Sequence, residues 1–177
     1  MRGCARGPWG LAVALAGAVA IVPASGAAGP FDIVRVDEFI GAARGLLGRT
    51  TADVERRLGP PRTVTPGAVP TYRDRRVFRV TRRLSYDGVT VEVLDTGRVR
   101  RVHLERAGLG LPLGLDVGAA REDVLRVLGE PTQADAGQLL YLYSDGFPDT
   151  VRFELRDGRV RAIQWDYGSA EGDPAGP

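Results

Sequence analysis

Two stretches of the chain share one pattern of apolar and polar positions. The first has Val54 and Leu58 four residues apart, followed by Gly-Pro-Pro. The second has Val124 and Leu128 four residues apart, followed by Gly-Glu-Pro. Apolar residues at this spacing share one face of a helix. Glycine adopts the left-handed conformation that ends a helix, and a proline two residues later keeps the helix from continuing. The pattern predicts two short helices.

Alternating apolar and polar residues with the period of a β-strand follow each helix. Both alternating runs end in a tight turn, Asp95-Thr96-Gly97 in the first and Asp157-Gly158 in the second, and Arg-Val-Arg follows each glycine. We expect the apolar members of the strands to point toward the core. The matching apolar positions are Val89, Val91 and Val93 with Val151, Phe153 and Leu155, and Val102 and Leu104 with Ile163 and Trp165.

These matches in the same order predict an α+β protein made of two tandem helix-plus-antiparallel-sheet repeats, with the helices on one face of the sheet. The first unit covers residues 29–106 and the second residues 107–167. The first unit has an additional amphipathic segment, a helix opened by Asp37, with apolar positions from Phe39 to Leu47. It also holds an insertion near residues 72–83 with room for a further strand. Units of this size lack the apolar content for a core of their own, so we expect them to pack into one body.

The two ends of the chain differ in character from these units. Residues 1–28 have the layout of a signal peptide, with Arg2 and Arg6 before the apolar run from Leu11 to Val22 and small residues after it. The run is too short for a membrane-spanning helix, which needs about 20 residues. Cys4 precedes the apolar run, so we expect no lipid attachment and a periplasmic or secreted protein. Residues 168–177 are expected to form a disordered tail.

The helix motif points to a family. Gly-x-x-x-x-Asp-Val-x-x-x-Leu-Gly-x-Pro, found at residues 48–61 and again at 118–131, resembles the motif of the SmpA/OmlA (BamE-like) family. The tandem arrangement is similar to the β-lactamase-inhibitor-protein architecture. The resemblance implies an exported, non-enzymatic binding protein of the bacterial cell envelope. The chain departs from both groups, because it has no cysteine at a lipidation position and its only cysteine lies in the leader.

Composition restricts the chemistry that the chain can perform. The 24 basic residues are all arginine and face 22 acidic residues, and two of the arginines lie in the leader. A balanced charge argues against a nucleic-acid partner. With one histidine and one cysteine, the only conceivable catalytic base of a nucleophilic triad is His103. Alternation places it on the outer sheet face, and the equivalent position of the second unit is Gln164, which offers no support for a catalytic role. We therefore predict no enzyme activity, no metal site and no cofactor.

Two surfaces remain as candidates for binding. Alternation places Thr90 and Glu92 on the sheet face away from the helices. In the run Leu-Leu-Tyr-Leu-Tyr, the two tyrosines lie on that same face if the leucines face the core. In the opposite register the tyrosines are core residues. Exposed tyrosines and arginines are typical anchors of protein interfaces. The predicted partner-binding residues are Tyr141, Tyr143, Arg101, His103, Arg152, Glu154 and Gln164.

The second surface is basic and lies within the insertion. It could bind anionic lipid headgroups or an acidic protein patch, or it could be an edge strand that charge protects from aggregation. Its arginines are Arg73, Arg75, Arg76, Arg79, Arg82 and Arg83. Residues 29–106 have 16 arginines against 10 acidic residues, whereas residues 107–177 have 6 against 12. The sequence thus predicts a non-catalytic envelope module that binds a protein through the open sheet face; the alternative is a structural or anionic-lipid-contacting protein that uses the basic cluster.

Overall fold

The structure, a computed structural model, describes residues 29–67, 81–143 and 149–168. These residues form three α-helices and one eight-stranded antiparallel sheet, so the chain is a mixed α+β protein. The helices are α1 (Ile33–Leu47), α2 (Thr51–Leu58) and α3 (Arg121–Leu128). The strands are β1 (Thr63–Gly67), β2 (Thr81–Ser85), β3 (Val89–Val93), β4 (Val99–Leu104), β5 (Gln133–Ala134), β6 (Gln138–Tyr143), β7 (Asp149–Arg156) and β8 (Arg159–Tyr167). The predicted signal peptide, most of the insertion and the tail beyond residue 168 lie outside the described residues.

In the middle of the sheet, the last strand of the first half lies beside the last strand of the second half. The order is β1-β2-β3-β4-β8-β7-β6-β5, and the first half (residues 29–106) meets the second half (residues 107–167) where β4 pairs with β8. In that pair Val102 lies opposite Trp165, and Leu104 lies opposite Ile163. All four side chains are buried, as the alternation predicts. One continuous sheet therefore carries both halves.

The hairpins β3–β4 and β7–β8 have the same irregularity. The ladder shifts register by one residue between Glu92 and Val93 in the first hairpin and between Glu154 and Leu155 in the second. In both cases the additional residue lies on the strand that follows the turn glycine. A bulge of this kind increases the local twist of the sheet.

Helix α1 joins the two halves although its sequence belongs to the first. The indole Nε1 of Trp165 donates to the Phe39 carbonyl at 2.9 Å, and the Tyr167 hydroxyl donates to the Ile40 carbonyl at 2.9 Å. The Phe39 ring stacks on Phe153 and on Trp165, with centroid distances of 5.3 and 5.7 Å. The buried residues of all three helices and of one sheet face form a single core. Within the described residues, no helix is long and apolar enough to cross a membrane.

The residue predicted to open α1, Asp37, lies five residues after the observed N-cap, Asp32, so this prediction is wrong. The helix begins at Ile33, and the Asp32 carboxylate caps it by accepting from the Arg35 amide at 3.1 Å. The apolar pattern misled because Ile33 and Val34 are 55% and 73% exposed and do not belong to the buried stripe. This first turn is held by its cap and by the backbone of the second half, since the Asp32 amide donates to the Leu128 carbonyl at 3.1 Å.

Helices α2 and α3 end as predicted but begin differently. Each ends at a glycine with φ +77°, Gly59 or Gly129, which only glycine adopts without strain. At the start of α2 the Thr50 hydroxyl accepts from the Asp53 amide at 3.3 Å, and the Asp53 carboxylate accepts from the Thr50 amide at 3.2 Å. This is a capping box. Helix α3 begins after Ala120, which provides no side-chain cap.

Candidate functional site

The face of the sheet that points away from the core presents two rows of side chains across the strands. The side chains alternate with buried ones along each strand, so their position follows from the strand period of two. We call this surface the open face. One row is Ser85, Thr90, His103, Gln164, Arg152 and Leu140, in which each residue is paired with the next. The neighbouring row is Arg83, Glu92, Arg101, Asp166, Thr150 and Leu142.

An ion network built on Glu92 organises the first-half side of the open face. The Glu92 side chain is 3% exposed, and its Oε1 accepts from Arg83 Nε at 3.2 Å and Nη2 at 2.8 Å. Its Oε2 accepts from Arg101 Nη1 at 3.3 Å. A carboxylate can be buried at this depth only when it is paired and hydrogen-bonded. The two arginines supply that pairing, so Glu92 fixes the positions of both.

The network continues from Arg101 into the second half. Arg101 Nε donates to Asp166 Oδ1 at 2.5 Å, and Gln164 Nε2 donates to Asp166 Oδ2 at 2.6 Å. Arg101 therefore bridges two carboxylates, one from β3 and one from β8. A depression of about 390 Å³ lies over this region and is lined by Arg83, Ser85, Thr90, Glu92, Arg101, His103 and Gln164. Charges held in this way are preorganised for recognition at low entropic cost.

His103 lies at the centre of the open face, where β4 meets β8 and where it pairs with Gln164. Its Nε2 is 3.5 Å from Glu105 Oε1. Among residues 29–67, 81–143 and 149–168, no group of three or more His, Cys, Asp or Glu side chains is arranged to hold a metal ion.

The second-half side of the open face is chemically different. Arg152 is half-buried between Leu140 and Gln164, and its Nε is buried without a hydrogen-bond partner in the part of the chain that the structure describes. The neighbouring Glu154 is committed to Arg161, with 2.9 Å between Oε2 and Nη2. Leu142 is 37% exposed. This side thus combines an unsatisfied cationic group with exposed apolar surface, a combination typical of interface anchors.

The tyrosine pair does not lie on the open face, which corrects the prediction. Tyr141 is fully buried, its hydroxyl donates to the Gly129 carbonyl at 2.9 Å, and its ring meets Phe153 edge-on at 6.0 Å. Burial raises its pKa far above the usual range. Tyr143 is half-buried and packs against the core. Leu140 and Leu142 take the outward positions instead, because a run of five apolar side chains has no alternation to fix its register.

Most of the predicted basic cluster, namely Arg73, Arg75, Arg76 and Arg79, lies outside the described residues. Of the other two arginines, Arg82 is exposed and Arg83 is bound to Glu92. The open face also contains Thr150 and Asp166, which were not among the predicted binding residues. Both could have been found from the strand period, because Asp166 lies between buried Trp165 and Tyr167 and Thr150 precedes buried Val151.

Comparisons of the chain with protein-family models, with curated proteins and with solved structures find no match.

Proposed function

We propose that this protein is an exported, non-catalytic module of the bacterial cell envelope that binds another protein through its open face. The observation that carries the proposal is the division of that face. A fixed ion network occupies one side, and a buried, unsatisfied Arg152 Nε beside exposed Leu142 occupies the other. A polar group without a partner in a half-buried site gains more from a ligand than a solvated one does.

The size of the open face suits a protein partner. Eight strands at a spacing of about 4.8 Å and about six residues per strand give a surface of roughly 34 Å by 20 Å. That is close to the about 800 Å² per partner that a standard interface buries. We expect the binding energy to concentrate at Arg152 and Leu142, because Arg83 and Arg101 are already satisfied within the molecule.

We further infer that the chain consists of two tandem units, as the SmpA/OmlA-like motifs indicate. Matching backbone hydrogen bonds tie the helix starts to the hairpin turns and support this inference. The Thr51 amide donates to the Gly97 carbonyl at 2.8 Å, and the Arg121 amide donates to the Gly158 carbonyl at 2.9 Å. The shared bulge position points the same way. Under this alignment His103 and Gln164 are equivalent residues that pair with each other, as a twofold relation between the units requires.

The alternative function is contact with anionic lipid through the basic cluster. One arginine of that cluster, Arg83, is already bound within the protein. Arg83 places both Nε and Nη2 on Glu92 and keeps little capacity for a phosphate. The two functions predict different salt responses. Lipid binding through arginines fades as salt screens the charges, whereas an interface centred on Arg152 and Leu142 retains its apolar contribution.

Site-specific photocrosslinking in the native envelope tests the proposal. A photoreactive residue placed at Leu142 or Thr90 should give the same protein adduct, whereas the 73%-exposed Val34 on α1 should not. Arg152→Glu should remove the adduct, while the matched variant Arg126→Glu on the exposed side of α3 should leave it unchanged. Equal adducts from all three positions, or binding only to anionic vesicles with no effect of Arg152→Glu, would contradict the proposal.

A further inference from the structure

A second candidate site lies in the first half, beside the end of α2. A pocket of about 200 Å³ is lined by Leu58, Pro60, Arg62, Tyr86, Asp87, Val89 and Arg106. We call it the Tyr86 pocket. The Tyr86 hydroxyl is buried and has no hydrogen-bond partner among the described residues. Burial, together with the negative charge of Glu55, raises the pKa of Tyr86. A buried hydroxyl without a hydrogen-bond partner destabilises the folded protein, so a ligand that supplied a partner would bind favourably at this pocket.

The second half shows what a pocket of this kind accepts. Leu84 pairs with Val91 and precedes Tyr86 by two residues; Leu139 pairs with Phe153 and precedes Tyr141 by two residues. If the halves are the tandem units inferred above, Tyr86 and Tyr141 are therefore equivalent. Yet Tyr141 is fully buried with a satisfied hydroxyl, whereas Tyr86 is half-buried and unsatisfied.

The difference comes from residues 29–32, which we call the N-terminal strap. The Glu130 amide donates to the Gly29 carbonyl at 2.8 Å, and the Phe31 ring stacks on Tyr141 with 6.4 Å between centroids. The strap lies so close to Gly129 that a Cβ there would be 2.1 Å from the Pro30 carbonyl oxygen. The strap thus covers the end of α3 and places an aromatic ring on the tyrosine.

The equivalent end of α2 has no such cover in the described residues. A Cβ built on Gly59 has no heavy atom within 4 Å, although Gly59 and Gly129 share the same φ of +77°. Arg62 and Arg106 flank the Tyr86 pocket and make only long, exposed contacts of 3.6 and 3.8 Å to Asp87. Exposed pairs at this distance contribute little, so both arginines remain available to an acidic ligand.

We propose that the Tyr86 pocket binds a short peptide segment of a partner protein, in which small or proline residues precede an aromatic side chain and an acidic residue follows it. The N-terminal strap has this chemistry, with Phe31 between Pro30 and Asp32. The bound segment would cover Gly59, place its ring on Tyr86 and direct its carboxylate toward Arg62 and Arg106. Tyr86 follows buried Leu84 by two residues, so it lies on the core side of the sheet. The Tyr86 pocket is therefore separate from the open face.

The test uses the strap itself as the probe. An acetylated and amidated peptide of residues 29–35 is titrated into the isotope-labelled protein, and amide chemical shifts are followed. Shifts should cluster at residues 58–62 and 86–89, and a peptide with Phe31→Ala should bind at least tenfold more weakly, since buried aromatic anchors dominate such interfaces. The proposal would be overturned if no saturable shift appeared or if both peptides bound equally. It would also be overturned if the shifts were confined to Gly129 and Tyr141, because the peptide would then only exchange with the intact strap.

A glycine pair supplies the matched control. Gly59→Ala adds a methyl group where the free protein has space but where a bound segment would collide, as the strap would at Gly129. Gly114→Ala also adds a methyl group in open space at a positive φ, of +69°, away from the pocket. Both variants place a methyl group on a glycine with positive φ, but only Gly59→Ala should abolish peptide binding. Equal binding by the two variants would refute the site. Arg152→Glu should leave peptide binding intact, so a failure here is distinguishable from a failure of the open-face proposal.

Discussion

Each half of this molecule contributes four strands and a short helix that ends at a glycine, but the two halves complete these elements in different ways. In the first half a buried carboxylate, Glu92, holds two arginines on the open face, and no segment among the described residues covers the Tyr86 pocket. In the second half Glu154, which precedes the register shift of its hairpin as Glu92 does, is 30% exposed and binds one arginine, and the N-terminal strap covers Tyr141. The comparison teaches that two similar helix-and-sheet arrangements can be completed by a polar network in one case and by an aromatic cluster in the other, depending on which distant segment packs on them.

The largest effect is expected from separating the halves. Residues 107–177 alone lack α1 and therefore lose the cover of Phe153, Trp165 and Tyr167, and residues 29–106 alone leave the apolar face of α1 bare. Each fragment should be unfolded or molten by near-ultraviolet circular dichroism, and mixing them should restore the native spectrum. Cooperative unfolding of either fragment alone, with a midpoint like that of the whole protein, would show that the core is not shared.

The next largest effect is the difference in stability between substitutions of Glu92 and Glu154. Glu92→Gln removes a buried charge that balances two arginines, so it should lower the free energy of unfolding by about 2–3 kcal/mol, near the lower limit for breaking a buried pair because Arg83 stays half-exposed. Glu154→Gln should cost less than about 1 kcal/mol, as exposed pairs do. Urea unfolding of both variants measures the difference. Equal costs would mean that the open face is not organised by Glu92.

A smaller effect separates the two tyrosines. Tyr141→Phe leaves the buried Gly129 carbonyl without its donor and should cost about 1–2 kcal/mol. Tyr86→Phe removes a hydroxyl that has no partner among the described residues, so stability should be unchanged or slightly higher. Thermal unfolding of the two variants side by side decides the matter. A loss at Tyr86 as large as that at Tyr141 would mean that its hydroxyl is satisfied in solution.

Local patterns along the chain predict much of this architecture. The glycines and prolines that end α2 and α3 act within a few residues, and strand alternation correctly places Glu92, Arg101 and Gln164 outward. Prediction failed where the deciding contact is distant. Nothing near Tyr141 shows that it reaches the Gly129 carbonyl or meets Phe31, and nothing near Ile33 shows that the second half holds the first turn of α1. For the same reason the Tyr86 pocket becomes visible only when the halves are compared in three dimensions.

The smallest effect concerns the helix starts. Ala120 has the extended backbone of an N-cap residue, with φ −72° and ψ 149°, but no oxygen to accept from the amides of α3. Thr50 in the first half has that oxygen and completes a capping box with Asp53. Ala120→Thr should therefore stabilise the protein by about 0.5–1.5 kcal/mol, the usual size of an N-cap effect, and Thr50→Ala should destabilise it by a similar amount.

The charge on the capping aspartates adds a pH dependence with a definite sign. The hydrogen bond from the Thr50 side chain is the main cause that lowers the pKa of Asp53, and the hydrogen bond from Arg126 is the main cause that lowers the pKa of Asp123. Because both folded-state pKa values lie below the unfolded ones, this stability is present above the unfolded pKa and is lost as the pH falls through the folded one. Ala120→Thr offers Asp123 the hydroxyl that Asp53 already has, so the gain from the substitution should be larger at neutral pH than in acid. Denaturant unfolding of wild type and variant at both pH values measures this; a gain that does not depend on pH would mean that the new hydroxyl caps α3 without involving Asp123.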